Sequence, residues 1–317
     1  MRHIIAARLA LCAAVFCGVA SAAAPGRVDR IVVPYAAGGV TDLYGRVLAE
    51  KIAAAQGSPV VVENKPGGGA AIGTAHVANS PPDGRTILLG SVGTATNPAM
   101  ISNLPYDPAA ITPVAQVAVS PLVLYVRSGL PADVHKLIDY AKAEPGKMTF
   151  ANSGAGSSPN LAAALFARET GIQVTHVNYR GTSAAITDFL GGRVDGYFDT
   201  LQAMEHVKTG RIQAVAVAAP QRLPQAPDIP TLDELGIPNV HASSWWGVFV
   251  PAQTPPGTIA ALETRLREVV ANPAVQKQAL DMGAVAVFRD RQAFARFFSD
   301  EVKRWRAIIE AEKLSSH

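Results

Sequence analysis

The sequence contains few cysteines, charged residues and aromatic residues. Its 317 residues include only Cys12 and Cys17 as cysteines, with 17% charged and 6% aromatic residues. Both cysteines lie in the first 22 residues, so a chain processed after Ala22 would contain no disulfide, no cysteine-ligated metal and no cysteine nucleophile. Removing Arg2 and Arg8 in the same step lowers the formal net charge from +3 to +1. This small charge predicts no nucleic-acid partner.

The sequence also lacks the residue spacing of common cofactor and catalytic sites. GGGAAIG at 67–73 misses the third glycine of the dinucleotide motif, and no G-x-x-x-x-G-K-[ST] occurs. The histidines at 76, 135, 176, 206 and 241 stand singly, and Ser157 lies in GAGSS rather than G-x-S-x-G. We therefore predict a protein without metal or cofactor that is not an enzyme. A hydrolase whose serine–histidine pair forms only on folding remains the alternative.

The amino terminus has the pattern of an export signal. Arg2 and Arg8 precede the apolar run LALCAAVFCGVA, which is too short to span a bilayer, and Ala20-Ser21-Ala22 fits a small-x-small cleavage site. A short membrane anchor is disfavoured by the length of the run. A lipoprotein at Cys17 is disfavoured because Phe16 stands where a small residue is needed. We predict a signal peptide over 1–22 and a periplasmic mature protein.

Apolar, β-branched runs alternate with helical patterns along the mature chain. The runs predict strands at 31–35, 59–65, 86–90, 122–126, 148–152, 174–179, 194–198, 212–219 and 247–250. The helical patterns predict helices at 42–56, 70–79, 132–144, 159–171 and 183–192, with a mostly helical tail from Pro256 to Lys313. This alternation is typical of an α/β protein with largely parallel sheets.

The strand–helix units fall into two groups of about 100 residues, which predicts two lobes. LVLYV and GVFV are flanked by prolines and small residues, so we expect them to cross between the lobes as a pair. The first lobe would then be discontinuous, over 23–121 and 246–317, and the second would span 122–245. A ligand would bind in the cleft, where the carboxyl ends of the strands meet.

Loops of small residues occur at three strand-to-helix junctions. They are YAAGGVTD after the first strand, NSGAGSSPN at 152–160 and YRGTSAA at 179–185. Helix amino termini carry unpaired N–H groups, and glycine lets a ligand approach the backbone closely. Three converging loops would bind an anion such as a carboxylate. Any one of them alone is equally compatible with an ordinary turn.

The side chains near these loops have structural and functional interpretations. Thr41 or Asp42 can cap the first helix, and we expect Asp42 to hold the loop rather than contact a ligand. Asp199 follows a strand and is the better candidate to accept a hydrogen bond from a ligand amine or hydroxyl. Either Trp245 or Trp246 could form a cleft wall, with the other packed in the core.

Six segments, in order along the chain, resemble one known family. They are VPYAAGGVTD, PVVVENKPGGGAAIGT, PPDGRTILLGSVGTATNPAM, GGRVDGYFDT, PDIPTLDELG and SSWWGVFVPAQTPP. Together they resemble the Bug family, the periplasmic solute receptors of tripartite tricarboxylate transporters. The resemblance covers nearly all of the mature chain.

The resemblance implies a two-lobed type II periplasmic-binding fold that closes over one small organic anion. It further implies that backbone amides and bridging waters hold the ligand carboxylate. By position, the implied ligand-binding residues are Tyr35, Ala36, Gly38, Gly39, Ser91, Thr94, Gly154, Gly156, Ser157, Ser158, Asn160, Tyr179, Gly181 and Asp199. At Asn160 the family usually has histidine, and asparagine cannot become cationic there.

The expected function is capture of a small carboxylated solute by a monomer that presents it to membrane transporter subunits. Signalling to a membrane sensor kinase is the alternative. The sequence does not identify the acid, because dicarboxylates, tricarboxylates, amino acids and aromatic acids all fit. It also leaves open whether Arg46 and Arg180 face the cleft.

Overall fold

The computed structural model describes residues 27–312 and 314. The predicted signal peptide at 1–22, with both cysteines, lies outside these residues. In the described chain the strands are β1 (Arg30–Val33), β2 (Val61–Asn64), β3 (Thr86–Gly90), β4 (Ile111–Pro121), β5 (Val123–Arg127), β6 (Thr149–Asn152), β7 (Thr175–Asn178), β8 (Gly196–Asp199), β9 (Ile212–Val217), β10 (Ser243–Pro251) and β11 (Val285–Arg289).

Helices follow most of these strands, as the alternating pattern predicts. They are α1 (Val40–Gln56), α2 (Ala71–Ala78), α3 (Val92–Met100), α4 (Val134–Ala143), α5 (Ser158–Thr170), α6 (Thr182–Leu190), α7 (Met204–Lys208), α8 (Pro256–Ala271), α9 (Pro273–Asp281) and α10 (Arg291–Ala311). Short 3₁₀ turns lie at Gly68–Ala70, Pro108–Ala110 and Leu201–Ala203.

The first lobe is built on a six-stranded sheet with the order β11-β4-β10-β3-β1-β2. β1 pairs in parallel with β2 and β3, whereas β10 runs antiparallel to both β3 and β4. Ile31, Val32 and Val33 are all buried, because helices cover both faces of this part of the sheet. Burying the sheet fixes where β1 ends and therefore where the first glycine loop begins.

The second lobe is built on a five-stranded sheet with the order β7-β6-β8-β5-β9. β6 pairs in parallel with β7 and β8, and β5 is antiparallel to β8 and β9. Phe150, Phe166 and Phe198 pack together on one face with ring centroids 6.0–6.4 Å apart. This packing fixes the start of α5 beside the ends of β6 and β8.

The runs LVLYV and GVFV are not strand partners of each other. β5, which holds four of the five residues of LVLYV, pairs only with strands of the second lobe, and β10, which contains GVFV, pairs with β3 and β4. Leu122, the first residue of LVLYV, precedes β5 and lies between the two sheets. The segments at the crossing are joined by backbone bonds among Leu122, Ala218 and Ala242.

Four elements differ from the sequence prediction: β4, β11, α3 and the five-residue helix α7. β4 contains Pro113 and Pro121, which normally interrupt strands, yet it pairs along its length with β10. β11 lies within the tail predicted as mostly helical, and its short VAVFR run forms a strand because β4 offers it an open edge. α3 contains Pro98 and many small residues, which weakens its helical pattern.

Candidate functional site

A small enclosed space lies between the lobes, and we call it the central cavity. Its volume is about 40 Å³. Residues from both lobes and from β10 form its walls: Tyr35, Ala36, Gly39, Val40, Thr41, Ser91, Ser153, Ser157, Ser158, Pro159, Thr182, Asp199, Thr200, Ser244 and Trp246. None of these residues is Lys, Arg, His or Cys. The polar groups of the walls are therefore backbone groups, hydroxyl groups, one indole and one carboxyl group.

Four helices begin at the central cavity. The N-cap residues Gly39 of α1, Ser91 of α3 and Ser157 of α5 line it, as does Thr182, the first residue of α6. None of these four helices has a side-chain cap on its terminal N–H groups. Each amino terminus carries about half a positive charge. The four helix ends therefore contribute positive potential to the cavity without a cationic side chain.

The loop before α1 is held by the buried side chain of Asp42. Its Oδ2 accepts hydrogen bonds from the Gly38 amide at 2.9 Å and from Arg46 Nε at 3.0 Å, and its Oδ1 accepts one from Asn64. Burial works to raise the pKa of Asp42, but these three donors outweigh it and lower that pKa. The expectation that Asp42 holds the loop is confirmed.

The expected cap of the first helix is wrong. Gly39, not Thr41 or Asp42, is the N-cap of α1, and α6 likewise has a glycine, Gly181, as its N-cap. Gly38 next to the first cap has φ 82°, a left-handed conformation that glycine adopts without a steric penalty. With the caps on glycine, the hydroxyls of Thr41 and Thr182 are left at the cavity wall.

Tyr35 follows β1, and its side chain stands against the start of α3. Its hydroxyl group interacts with Ser91 and with the backbone of Gly93. Burial raises the pKa of Tyr35 to about 12, against the lowering effect of these hydrogen bonds. Tyr35 is therefore a neutral wall residue that can donate or accept a hydrogen bond.

The serine-rich loop before α5 supplies two hydroxyl groups in different states. Ser158 Oγ lies 2.6 Å from Ser244 Oγ of β10, so these two groups satisfy each other. Ser157 Oγ is buried and has no hydrogen-bond partner within the described part of the chain. A buried hydroxyl without a partner is costly, which makes Ser157 a ready donor or acceptor for a guest.

Asp199 places a carboxyl group in the cavity wall at the end of β8. It is 6% exposed, and its Oδ1 accepts a hydrogen bond from the Thr200 amide at 2.8 Å. Burial raises the pKa of Asp199 to about 7, and the Thr200 bond offsets only part of this effect. No cationic side chain lines the central cavity beside it.

The two adjacent tryptophans point to opposite sides of β10. Trp246 lines the central cavity and donates through Nε1 to Thr41 Oγ1 at 2.9 Å. Trp245 is buried among Phe294, Phe297 and Phe298 of α10, and its Nε1 donates to Glu301. Trp246 is thus the cleft residue, because alternate residues of a strand face opposite sides.

Two larger spaces adjoin the central cavity through different wall residues, and we call them the two ends of the cleft. The Arg180 cavity, of about 460 Å³, shares Tyr35 and Ser153 with it and is otherwise lined by Pro34, Pro66–Ala70, Ile72, Gly154, Tyr179 and Arg180. The His206 cavity, of about 300 Å³, shares Gly39, Val40, Thr182 and Asp199 with it and also includes Gly38, Ser183, Ile186, Thr187, Gln202, Ala203, Glu205 and His206.

The lobes touch beside the Arg180 cavity. Thr96 Oγ1 of α3 donates to the Gly156 carbonyl of the second lobe at 2.9 Å. A Cβ atom on Gly69 would lie only 2.8 Å from the carbonyl oxygen of Ala155 across the cleft. This approach requires glycine at position 69, and it shows that the cleft is closed on this side.

The fourteen residues implied by the resemblance fall into three groups. Seven line the central cavity, namely Tyr35, Ala36, Gly39, Ser91, Ser157, Ser158 and Asp199. Gly154 and Tyr179 line the Arg180 cavity, and Gly38 lines the His206 cavity. Thr94, Gly156, Asn160 and Gly181 are not among the lining residues of the three cavities.

The side chain of Asn160 hydrogen-bonds within the protein, to the serine-rich loop and to His176. Its Oδ1 accepts from the Gly156 amide at 3.0 Å, and its Nδ2 lies 3.3 Å from His176 Nδ1. Asn160 therefore shapes the serine-rich loop from behind.

Several wall residues of the central cavity lie outside the ligand contacts predicted from the sequence. They are Val40, Thr41, Ser153, Pro159, Thr182, Thr200 and Ser244. Ser153, Thr182 and Thr200 could have been predicted from the sequence, because each directly precedes or follows a predicted site residue. Ser244 reaches the cavity through the pairing of β10 with β4, which no local pattern indicates.

The described residues have neither a metal-binding cluster nor a membrane-spanning helix. No group of three or more His, Cys, Asp or Glu side chains is placed to hold a metal ion. Among the described helices, none combines the length and apolarity that crossing a bilayer requires.

Comparison with known proteins places the chain in a family. The family model described as the tripartite tricarboxylate transporter family receptor matches residues 44–314. Protein BugT of Bordetella pertussis is 34% identical over 290 residues, which cover 90% of this chain and 89% of BugT.

Solved structures are similar over the same length. The periplasmic binding protein BugD has a TM-score of 0.85 and 32% identity, over 92% of this chain and 100% of BugD. MatC from Rhodopseudomonas palustris, solved with bound malate, has a TM-score of 0.83 and 30% identity, over 90% of this chain and 99% of MatC. The chain therefore belongs to the Bug-type receptors of the tripartite tricarboxylate transporter family, and it has their two-lobed periplasmic-binding fold.

Proposed function

We propose that the protein captures a small carboxylated organic anion in the periplasm and delivers it to a tripartite-type membrane transporter. The observation that carries this proposal is the meeting of four uncapped helix amino termini at one cavity between two lobes. Terminal N–H groups at such a point favour an anion. The malate bound by MatC, a member of the same family, is consistent with this ligand class.

The size and chemistry of the central cavity favour a carboxylate over a larger anion. About 40 Å³ has room for roughly three water molecules, and hence for a carboxylate group but not for a whole organic acid. The free hydroxyl of Ser157 and the Tyr35 hydroxyl supply further hydrogen bonds. Asp199 opposes a second negative charge there, so it would accept from a ligand hydroxyl or amine, or stay protonated.

The proposed ligand contacts are the cavity residues together with loop residues of both lobes. We retain the fourteen residues implied by the resemblance, with Thr94, Gly156, Asn160 and Gly181 supporting the loops. Trp246, Thr41, Ser153 and Ser244 are added because they line the central cavity. The lobes would be 23–121 with 246–317, and 122–245, and closure would occur about the crossing at Leu122, Ala218 and Ala242.

A binding role fits the site better than catalysis. A hydrolase needs a base beside its nucleophile, and no histidine, lysine or cysteine lines the central cavity. We therefore propose a monomeric, non-catalytic receptor without cofactor or nucleic-acid partner, exported after cleavage near Ala22. Signalling to a sensor kinase is the second candidate role for the closed form, because closure would present the same surface to either partner.

A thermal-shift screen of organic acids with the mature protein tests the proposal. An acid present at 100 times its Kd should stabilise the folded state by about 2.7 kcal/mol. Gly39→Phe should abolish this shift by filling the cavity. Gly39→Ala is the matched control, since its Cβ would have no neighbour nearer than 3.8 Å and its φ of −83° suits alanine. Absence of a shift with any acid across a broad panel would overturn the proposal.

A further inference from the structure

The central cavity holds only one end of any organic acid. With about 40 Å³ it accommodates a carboxylate, so the remaining atoms of the ligand must extend into an adjoining space. Only two of the spaces described above share walls with it. The Arg180 cavity shares the wall residues Tyr35 and Ser153 with it, and the His206 cavity shares Gly39, Val40, Thr182 and Asp199.

The Arg180 cavity has the size and charge to receive a second anionic group. Its volume of about 460 Å³ lies within the usual range for small-molecule sites. Glycines at 67, 68 and 69 leave one wall free of side chains. Arg180 is the one charged residue among its lining residues, and no Asp or Glu accompanies it.

The guanidinium group of Arg180 is available for a ligand. Within the described residues it forms no hydrogen bond and no ion pair. The nearest acid along the following helix, Asp188, is occupied by the Tyr179 hydroxyl at 2.9 Å and by Arg193 at 2.7 Å. The same hydroxyl bond helps to hold Tyr179, the residue before Arg180, at the cavity wall.

The His206 cavity is unsuited to a second carboxylate. Asp199 and Glu205 both line it, and its cationic candidate, His206, has Nε2 3.6 Å from Glu205 Oε1. A carboxylate placed there would meet two acids. The charge distribution therefore directs an anionic far end toward the Arg180 cavity.

We propose that Arg180 binds a second carboxylate of the ligand, and that the protein accordingly prefers dicarboxylates that reach from the central cavity into the Arg180 cavity. This inference rests on the proposed function, because it assumes that a first carboxylate occupies the central cavity. Arg180 would act as a specificity-determining residue: its planar guanidinium pairs with a carboxylate in a bidentate manner.

The experiment compares straight-chain diacids of four to eight carbons with their monoamides, which have nearly the same shape and one charge fewer. Affinities are measured calorimetrically for the mature wild type, Arg180→Gln, Arg180→Lys and Arg211→Gln. Arg211 is the matched control, as an exposed arginine of the same lobe that lines none of the three cavities. We expect the best diacid to bind wild type about tenfold more tightly than its monoamide.

Arg180→Gln should reduce this ratio to near one while leaving monoamide affinity unchanged. Arg180→Lys should keep part of the ratio, and Arg211→Gln all of it. The inference is overturned if the ratio survives Arg180→Gln. It is also overturned if wild type binds monoamides or other monoacids but prefers no diacid, in which case the proposed function stands. If no acid binds wild type, both proposals fail.

Discussion

The two ends of the cleft differ in charge although they open from the same cavity. The Arg180 cavity has one arginine and a wall of glycines, whereas the His206 cavity has Asp199, Glu205 and a histidine. The middle between them has no cationic side chain, and in the proposed function it would hold anions through helix amino termini and hydroxyl groups. Backbone groups in the middle can therefore hold the feature that all ligands share, while side chains at the ends select among ligands.

Filling the Arg180 cavity or the His206 cavity separately should give the largest difference in diacid affinity. Ser153→Leu places a branched side chain at the wall shared by the central and Arg180 cavities. We expect diacid affinity to fall about a hundredfold, since overpacking a tight site costs up to about 3 kcal/mol. Calorimetric titration with the best diacid measures the loss.

Ile186→Phe is the matched substitution at the other end, because Ile186 lines the His206 cavity but not the central cavity. It should change diacid affinity less than about threefold, as a side chain that contacts no ligand. Equal losses for the two variants would show that the ligand occupies both ends or neither.

Asp199→Asn should stabilise the unliganded protein at neutral to alkaline pH. The pKa of Asp199 is raised from 3.8 in the reference state to about 7 in the folded protein, so the folded state keeps a proton that the unfolded state has lost. Stability should therefore fall as pH rises from about 4 to 7 and then level off. Asparagine keeps the acceptor for the Thr200 amide and removes the buried charge. We expect a gain of roughly 1–2 kcal/mol at pH 8.

Chemical denaturation of both proteins at pH 5 and pH 8 measures this effect. The difference between them should be small at pH 5 and largest at pH 8. Tyr125 and Tyr197 also face Asp199, and its charge contributes to the raised pKa of both hydroxyls, but these groups stay neutral over this range. A pH-independent difference would mean that Asp199 is already ionised at pH 5 and that the His206 end is more strongly negative than we infer.

Trp246→Phe should weaken all acids alike, because Trp246 belongs to the middle. The substitution removes the Nε1 donor to Thr41 Oγ1 at the start of α1. This bond orders Thr41 at the start of α1, so losing its roughly 1 kcal/mol should lower affinity by about fivefold at most. Diacids and monoamides should lose equally in titrations of this variant.

Trp245→Phe provides the control on the opposite face of β10. The substitution removes the hydrogen bond that Trp245 donates to Glu301, while Trp305 still donates one to the same carboxylate. It should lower the stability of the protein without changing its affinity for acids. A loss restricted to diacids in Trp246→Phe would place Trp246 at the Arg180 end instead of the middle.

The middle of the cleft was more predictable from sequence than its ends. Glycine and serine between a strand and a helix form a local sequence pattern. The loops at Gly39, Ser157 and Thr182 are therefore predictable from sequence, although the sequence does not show that they converge on one cavity. The role of Asp42 was likewise readable, because its partner Gly38 lies four residues away. Local patterns predict helix amino termini well, because the residues that end a strand and those that begin the next helix lie within a few positions of the loop between them.

What the sequence could not reveal depends on distant pairing. Trp246 and Ser244 reach the cavity because β10 pairs with β4, whose residues lie more than 120 positions earlier. The direction of Asn160 depends on His176 in a neighbouring strand. Whether Arg180 faces a cavity also depends on the loop at Gly67–Gly69 across the cleft. Each of these contacts depends on two segments that are distant in sequence and meet only in the folded protein.

Glu205→Gln should give the smallest effect and probes the acidic end directly. Glu205 lines the His206 cavity with its side chain 69% exposed, so solvent and salt screen its repulsion of a bound dianion. We expect diacid affinity to rise by about twofold or less at low ionic strength and to be unchanged at about 0.5 M salt. Glu144→Gln, which removes an exposed acid outside the three cavities, should have no effect at either salt concentration. A much larger gain that persists at high salt would place a ligand carboxylate close to Glu205, because only a desolvated contact escapes screening, and the assignment of the two ends would then be reversed.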